Sequence, residues 1–358
     1  MFKFYCFFFY LLTFVASVNA VTPLSTHDPR WKWMDEQIEE QFAPFKDGIT
    51  KKMINKTMCL SDQIPFGQYM VRIQIINGKV FSNATTHVHQ RAVKLLERVA
   101  DIYPVPDVDV ICYPADQLWD DRDLRAPVFA SALRKNGSPC VIHMPIHLSI
   151  QFEDIFVPRT LHLNEQLPWE NKIAKIFWRG QCNDGGNGYS KPKKWTKYRR
   201  GKLCSWSNEY PDLIDAAFSS YQNYQVAPEI QDQFFEYFTL NRATWEEYQN
   251  HKYLIDLDGC VAAVPGCAWK LLSNSALFKH ESKFRLPFYK ILKPWVHYIP
   301  LNEDLSDLFE KLEWALEHDE EVRTIAENGH KLAFENIMPE HIYLYCYKAL
   351  CKYASLQK

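Results

Sequence analysis

The 358-residue chain lacks an excess of basic charge. Its 41 lysines and arginines are balanced by 43 aspartates and glutamates, which gives a formal net charge of -2. Proteins that bind nucleic acid rely on a broad positive field, so we expect no nucleic-acid partner. The 47% of hydrophobic and 15% of aromatic residues are enough to bury a large core. Together with the length, they favour two folded domains over a disordered chain.

Cysteines at the spacing of a metal or redox site are also missing. None of the ten cysteines forms a C-x-x-C pair, which argues against a structural zinc site and against a thioredoxin-like motif. Cys6 lies in an N-terminal apolar segment, and nine cysteines remain, an odd number. In an oxidising compartment at least one thiol therefore stays free or pairs between chains.

Only the N-terminus carries an extended apolar run. A lysine precedes apolar residues 4–15 and small residues follow, so residues 1–20 are predicted to be a cleaved signal peptide. A type II membrane anchor is the alternative, but the run is shorter than the ~20 residues that span a bilayer. N-x-S/T sequons stand at Asn55, Asn83 and Asn136. We therefore expect the endoplasmic reticulum lumen or secretion, and no transmembrane segment after cleavage.

Glycine is scarce, with 12 residues in the whole chain. The one glycine-rich stretch is NDGGNG at residues 183–188, whose backbone N–H groups would suit a phosphate cradle. A surface loop is the alternative interpretation of this stretch.

Hydrophobic periodicity predicts alternating helices and strands. Asn77-Gly78 is a strong hairpin signal between two strands, and prolines stop the helix that follows before the next strand begins. The elements expected in the first half are strands 68–76 and 79–81, helix 92–103, strand 108–112, helix 127–133 and strand 140–146.

These elements predict two α/β domains. Residues 21–160 make up the first domain, and prolines at 158 and 168 mark a linker. Residues 161–335 make up the second domain. The segment 336–358 carries an apolar stripe at helical spacing, so we expect a C-terminal helix that packs back on the first domain.

The most informative stretch is residues 252–301. An apolar strand ends at Asp258-Gly259, and the small residues Ala262 and Ala263 follow. A short helix and a second apolar strand come next. Strand, turn, helix and strand in this order form the unit of a parallel sheet, whose ligands bind beyond the carboxyl ends of the strands. A ligand is therefore expected at the segment after Leu257.

This stretch resembles the signature of the CAP10-type glycosyltransferases, which include the protein O-glucosyltransferases related to Rumi. The matching motifs are D-G at 258–259, V-A-A at 261–263, L-x-x-S-x-L at 272–277 and K-P-W-x-H-Y-x-P at 293–300. The last motif is the most specific. The resemblance extends from about Pro44 to Tyr353. One departure is that V-P-G-C stands at 264–267, where members usually carry an arginine.

The resemblance implies an α/β protein with two facing Rossmann-like domains, the arrangement called GT-B. Residues 21–160 would then hold the acceptor and residues 161–335 the sugar nucleotide. The implied activity is inverting transfer of glucose or xylose from a UDP-sugar to serine in EGF-like repeats of a glycoprotein. Two alternatives remain open. One is synthesis of polysaccharide or capsule, and the other is a secreted, non-catalytic relative that binds sugar nucleotides.

The donor side needs cations and backbone N–H groups at the departing diphosphate. Arg179 with Gly180 resembles the family's F-R-G motif, and Arg200 lies in a matching R-x-x-L segment. The serines of the L-x-x-S-x-L motif are expected to contact ribose or phosphate oxygens. The expected donor-binding residues are Arg179, Gly180, Arg200, Asp258, Gly259, Ala262, Ala263, Ser273, Asn274 and Ser275.

The acceptor side needs a carboxylate that takes the proton of the attacking hydroxyl. In the glucosyltransferase relatives this aspartate lies in an R-D-Y-P segment, and here residues 111–114 read I-C-Y-P. Cys112 thus stands where relatives carry the base. We expect Asp116 to act instead, with Asp109 as the alternative. If neither reaches the acceptor, the non-catalytic interpretation applies.

Asp256-Leu257-Asp258 is a D-x-D triplet, which binds a divalent metal in a different glycosyltransferase fold. Two carboxylates that flank one strand residue point to the same side, so the spacing permits a metal. The resemblance implies a reaction without metal. We therefore expect no metal and no cofactor besides the UDP-sugar substrate.

Overall fold

The computed structural model describes residues 21–64, 66–116, 118, 121–148, 151–183, 198–220, 234–235, 238 and 240–358. The predicted signal peptide, and residues 184–188 of the glycine-rich stretch, lie outside these ranges. Within them, none of the helices is both long and apolar enough to cross a membrane. All nine cysteines of the described ranges are free thiols.

The first domain is built on a mixed five-stranded sheet in the order β2-β1-β3-β4-β6. Asn77 and Gly78 both have positive φ, as the tight turn between β1 and β2 requires. β1 runs antiparallel to β2 and β3, whereas β3, β4 and β6 are parallel. The strands of this domain are β1 (Val71–Ile76), β2 (Lys79–Ser82), β3 (Val108–Tyr113), β4 (Val128–Ala130), β5 (Leu133–Arg134) and β6 (Val141–His143), of which β5 lies outside the five-stranded sheet.

Three helices flank this sheet: α1 (Lys32–Phe42), α2 (Lys51–Met58) and α3 (His89–Ile102). The predicted hairpin, helix and following strand are confirmed. The predicted helix at 127–133 is wrong, because β4 occupies its place and all three β4 residues are buried. A strand buried on both faces has a continuous apolar run, which hydrophobic periodicity does not distinguish from a buried helix.

The predicted linker at 158–168 is helical over most of its length. Residues Val157–Gln166 form helix α4, which continues directly from a π-helical turn at Phe152–Phe156 and carries Pro158 in its first turn. The helix therefore runs through the predicted domain boundary at residue 160. Its Asn164 side chain donates to Leu272 O (3.0 Å) and accepts from Asn274 N (3.0 Å), which fixes α4 to the second domain.

The second domain holds a parallel five-stranded sheet in the order β12-β10-β9-β7-β8. Successive strands β8 and β9 lie on opposite sides of β7, so the strand order reverses between β7 and β9. The strands of this domain are β7 (Ile173–Gln181), β8 (Ile214–Ser220), β9 (His251–Asp256), β10 (Ala276–His280), β11 (Phe284–Arg285) and β12 (Ile299–Leu301), of which β11 lies outside the five-stranded sheet. Its helices include α5 (Arg199–Glu209), α6 (Trp245–Gln249), α7 (Gly266–Leu272), α8 (Leu308–Glu317) and α9 (Asp319–Asn336).

Two connections join the domains. β5 of the first domain pairs with β11 of the second. The last helix, α10 (Pro339–Leu356), returns to the first domain. There Tyr353 Oη donates to Asp109 O (2.8 Å), and Ile49 N donates to Leu356 O (2.7 Å).

The predicted α/β class with two Rossmann-like domains is thus confirmed, with one addition. The antiparallel β1–β2 hairpin extends the parallel half of the first sheet. In an open α/β sheet the ligand crevice lies at the carboxyl ends of the strands, where the strand order reverses. In the second domain this point is the end of β7 and β9, and the first domain faces it.

Candidate functional site

A cavity of about 300 Å³ lies at the reversal point between β7 and β9. The end of β7, the segment after β9 and the start of α7 form three of its sides, and Asp116 of the first domain forms the fourth. Of the predicted residues, those that line this cavity are Arg179, Gly180, Arg200, Gly259, Ala262, Ala263 and Asp116. The structure therefore brings together both domains at one site.

Gly259 is required by the close approach of two side chains. A Cβ atom at this position would lie 2.7 Å from Asn183 Oδ1 and 2.8 Å from Arg200 Nη2. Neither distance is compatible with a side chain, and Arg200 itself is confined by other contacts. The glycine of the D-G motif thus lets the cavity wall lie directly on the arginine.

Arg200 enters the cavity wall from α5 and is buried. Its Nη1 donates to Gln181 O (2.9 Å) and Asn183 Oδ1 (2.6 Å), and its Nη2 donates to Leu257 O (2.9 Å). These acceptors are all neutral, and no carboxylate among the described residues forms an ion pair with this guanidinium. A buried cation without a counter-ion is costly, so the site favours an anionic ligand.

Arg179, predicted to clamp the diphosphate, lines the cavity but already has a carboxylate partner. Its side chain is only 5% exposed, and its Nη2 lies 2.8 Å from Asp215 Oδ1. Its Nη1 donates to Trp178 O (3.0 Å) and Asp215 O (3.1 Å), and the guanidinium lies over the Phe177 ring. Because β8 runs beside β7, Asp215 neutralises this charge. The sequence does not reveal that neighbour.

Asp258 contacts the protein interior instead of the cavity. Ser282 Oγ donates to its Oδ2 (2.6 Å), and His280 Nε2 lies 3.4 Å from its Oδ1. Burial acts to raise the pKa of Asp258, but the hydrogen bonds and the charge of His280 outweigh burial and lower it to about 2. We therefore correct its predicted donor-binding role to that of an internal anchor.

The predicted contacts of Ser273, Asn274 and Ser275 with the donor are also corrected. These residues precede β10, at the amino-terminal edge of the sheet, whereas the cavity lies at the carboxyl edge. Ser273 Oγ donates to Lys270 O (2.6 Å), and Ser275 Oγ donates to His251 O (2.8 Å). The Asn274 amide donates to two backbone carbonyls at the end of α4. All three polar side chains serve the packing of the second domain.

Sequence reasoning missed Lys270, which lines the cavity from α7. Its Nζ lies 2.8 Å from Asp256 Oδ1, and the two side chains are 8% and 1% exposed. Asp256 is the first carboxylate of the D-x-D triplet, so Lys270 and Ser282 engage the two carboxylates separately. Lys270 is the only basic residue between 253 and 278, a signal that could have identified it.

Asp116 follows β3 and lies between two cavities. It lines the cavity described above and also a second one of about 550 Å³, which includes Arg91 and Lys94 of α3. His147 lies beside it and contacts Pro114 O through Nε2 (3.0 Å). Burial lowers the pKa of His147, although the nearby Asp116 charge acts to raise it. A neutral His147 can donate to Pro114 and so fix the backbone that carries Asp116.

The other two candidates on β3 lie away from both cavities. Asp109 stands in the amino-terminal half of the strand, and Arg72 Nε donates to its Oδ1 (2.7 Å). The alternative base Asp109 is therefore corrected to a structural ion pair. Cys112 is fully buried, and burial raises the pKa of its thiol to about 12. No thiolate forms there at neutral pH, so Cys112 does not replace the base.

Residues 146–358, more than half of the chain, match the family described as Glycosyl transferase family 90. Protein O-glucosyltransferase 2 of Danio rerio is 34% identical over 189 residues, which cover 53% of this chain and 34% of that protein. The chain thus spans about a third of that relative's length. Protein O-glucosyltransferase 1 of Homo sapiens is 24% identical over 336 residues, covering 88% of this chain and 78% of that protein.

Solved structures show a weaker similarity. HepE from Anabaena in complex with UDP-glucose aligns with a TM-score of 0.40 and 11% identity, covering 66% of this chain and 65% of that chain. The C-terminal domain of LpcC, a group 1 glycosyl transferase from Francisella tularensis, aligns with a TM-score of 0.32 and 13% identity, covering 52% of this chain and 94% of that chain. Similarities of this size support no inference about ligands.

Proposed function

Because the chain belongs to glycosyl transferase family 90, we propose that it transfers a sugar from a UDP-sugar to an acceptor hydroxyl, with inversion at the anomeric carbon. The observation that carries this proposal is the position of Asp116 between two cavities. One cavity, at the carboxyl ends of β7 and β9, is built for an anion. The other lies on the side of the first domain and takes the acceptor.

The donor diphosphate is proposed to bind beside Arg200. This guanidinium is buried, makes hydrogen bonds only to neutral acceptors, and lies directly behind Gly259. The segment 259–263 adds backbone groups at the same wall, where small side chains leave room for a ligand. A fixed and buried cation at this wall stabilises the negative charge that develops on the departing diphosphate, and it does so more strongly than a cation in water.

Asp116 is proposed as the general base. As the acceptor oxygen attacks the anomeric carbon, its proton passes to the Asp116 carboxylate and the bond from the sugar to the diphosphate breaks. His147 is a positioning residue in this scheme, since it contacts the Pro114 backbone and not the reacting atoms. Asp109 and Cys112 take no part, because neither residue lines either of the two cavities at which Asp116 lies.

We propose a serine hydroxyl of a glycoprotein, within EGF-like repeats, as the acceptor, and glucose or xylose as the sugar. Support comes from the similarity to proteins named protein O-glucosyltransferases. The secretory pathway, as endoplasmic reticulum lumen or secretion, is the proposed compartment, in agreement with the predicted signal peptide and the three sequons. We propose that transfer needs no metal, since Lys270 engages Asp256 and Ser282 engages Asp258.

The test is to incubate the purified chain with a panel of UDP-sugars, with and without folded EGF-like repeats, and to measure UDP release and sugar transfer. We expect one UDP-sugar to be turned over, with undiminished rate in EDTA. The matched control is Asp116→Asn. This variant should still bind UDP but should release almost no UDP from a UDP-sugar. Binding of UDP with no turnover of any sugar nucleotide would favour the non-catalytic interpretation. Loss of activity in EDTA that manganese restores would make the D-x-D triplet a metal site.

A further inference from the structure

Three cations lie at the wall of the donor cavity, and their counter-charges differ. Asp215 neutralises Arg179 through a close ion pair and a second hydrogen bond to the backbone. Among the described residues, Arg200 donates only to neutral acceptors. Lys270 is intermediate, because among the described residues its ammonium group donates a single hydrogen bond, to Asp256 Oδ1, and carries two further protons. The Lys270–Asp256 pair is therefore only partly satisfied.

The ammonium group of Lys270 lies at the cavity wall and not behind it. A Cβ atom built on Gly266, another lining residue, would lie 3.7 Å from both Lys270 Nζ and Asp256 Oδ1. The missing side chain at Gly266 thus leaves the ion pair open to the cavity. Lys270 is more than nine-tenths buried, so little solvent competes for its protons.

We propose that Lys270 is a second cation of the diphosphate subsite and that Asp256 competes with the bound diphosphate for it. This inference rests on the proposed function. A diphosphate oxygen that reaches the wall beside Gly266 accepts a hydrogen bond from Lys270 Nζ, whose other protons stay with Asp256. Lysine suits this role because its compact ammonium has three donors that serve two acceptors at once.

The proposal predicts effects of opposite sign for the two members of the ion pair. Lys270→Gln removes a charge-assisted contact and should lower UDP affinity about 10-fold or more. Asp256→Asn removes the competing carboxylate and should leave UDP affinity unchanged or raise it. Neither variant should change the affinity for uridine, which has no phosphate. A purely structural ion pair predicts a different result, in which both variants weaken UDP binding.

The experiment is calorimetric titration of each variant with UDP and with uridine, in EDTA. The wild type must first bind UDP more tightly than uridine, and if it does not, the proposed function itself fails. If the wild type passes and Lys270→Gln keeps the same ratio of UDP to uridine affinity, this inference alone is overturned. The inference is also overturned if Asp256→Asn weakens UDP binding in a folded protein.

Two further variants keep the test valid if Lys270→Gln folds poorly. Lys270→Met combined with Asp256→Asn removes both charges at once, and it should bind UDP at least about 10-fold more weakly than Asp256→Asn alone. Equal affinities would contradict the proposal. Gly266→Ala places a methyl group at the wall beside Lys270 and should weaken UDP but not uridine, whereas an unchanged UDP affinity would argue against a ligand at this wall.

Discussion

Two buried arginines stand at the cavity proposed to bind the donor, and they differ in the charge of their partners. Arg179 forms an ion pair with Asp215, whereas Arg200 donates only to neutral groups. An anion gains more from the second arginine, because no protein carboxylate has to be displaced or shared. The residue type is the same in both cases, and the surrounding charge decides the function.

We expect Arg200→Gln to weaken UDP binding by ~10- to 150-fold, as the loss of a charge-assisted contact costs about 1.5 to 3 kcal/mol. Arg179→Gln is the matched control and should affect UDP affinity less, while it lowers thermal stability by leaving Asp215 unpaired. Isothermal calorimetry with UDP, together with a melting curve, separates the two effects. A larger loss of UDP affinity in the Arg179 variant would reverse the assignment.

Asp116→Asn should lower the rate of transfer by ~10²- to 10⁴-fold with little change in UDP affinity, because the amide accepts no proton. Asp109→Asn is the control, since it breaks the ion pair with Arg72 and should cost stability but not turnover. Cys112→Ala should keep most activity. Cys112→Asp should not raise activity, because a carboxylate at 112 would be buried in the core. Full turnover in Asp116→Asn would show that Asp116 is not the general base.

At the scale of elements, the two edges of the second sheet have different tasks. The carboxyl edge forms the cavity, and the amino edge forms a buried polar network. There Lys172, just before β7, donates to Gln249 O and Ser275 Oγ. Burial lowers the pKa of Lys172 to about 7. This network explains why Ser275 belongs to the packing of strands and not to the ligand site.

The buried Lys172 predicts a pH dependence of stability. An unfolded lysine keeps its proton up to its usual pKa of about 10.4, while the folded one loses it near pH 7, so the unfolded state binds more protons between these values. The free energy of unfolding should therefore rise from pH 7 toward pH 10, by no more than about 1.4 kcal/mol per pH unit. In urea unfolding, the Lys172→Met variant should not show this rise in the free energy of unfolding with pH. Parallel pH profiles for wild type and variant would contradict it.

The last helix, α10, is an element of the first domain although it follows the second in sequence. Leu350→Ala should destabilise the protein by about 2–5 kcal/mol, because Leu350 is fully buried between α10 and the first-domain core. Leu316→Ala on α8, where the leucine is 41% exposed, is the matched control and should change stability by less than about 1 kcal/mol. Equal losses in urea unfolding would show that α10 is not part of that core.

At the scale of the whole molecule, the site exists only because the domains are held together. The β5–β11 pairing and α10 connect them in addition to the chain itself. Asp116 comes from the first domain and the cations come from the second. A rigid connection keeps the proposed base at the cavity that is proposed to hold the donor.

These connections predict that ligand binding in the second domain stabilises the whole chain. UDP at about 100 times its dissociation constant should add about 2.7 kcal/mol to the free energy of unfolding. Scanning calorimetry should show one transition that moves to higher temperature as a unit. Uridine at the same concentration serves as the control. Two transitions, of which UDP shifts only one, would show that the domains unfold independently.

The sequence by itself determined the α/β class, the two domains and the family. The segment 252–301 contains a strand, a turn, a helix and a strand in local order, and local order is what hydrophobic periodicity and short motifs record. For the same reason the motifs located the cavity wall at Gly259, Ala262 and Ala263. The hairpin at Asn77-Gly78 was predictable because its turn requires residues that tolerate positive φ.

Only the tertiary structure decided which charges are available to a ligand. Arg179 is neutralised by Asp215, and Lys270 contacts Asp256, through the pairing of β8 with β7 and the packing of α7 on β9. Those neighbours are distant in sequence, and the spacing of residues carries no record of them. The same holds for the base: β3 places Asp109 at one end and Asp116 at the other. Only the second end faces the cavity at the ends of β7 and β9, because the carboxyl edges of the two sheets meet there.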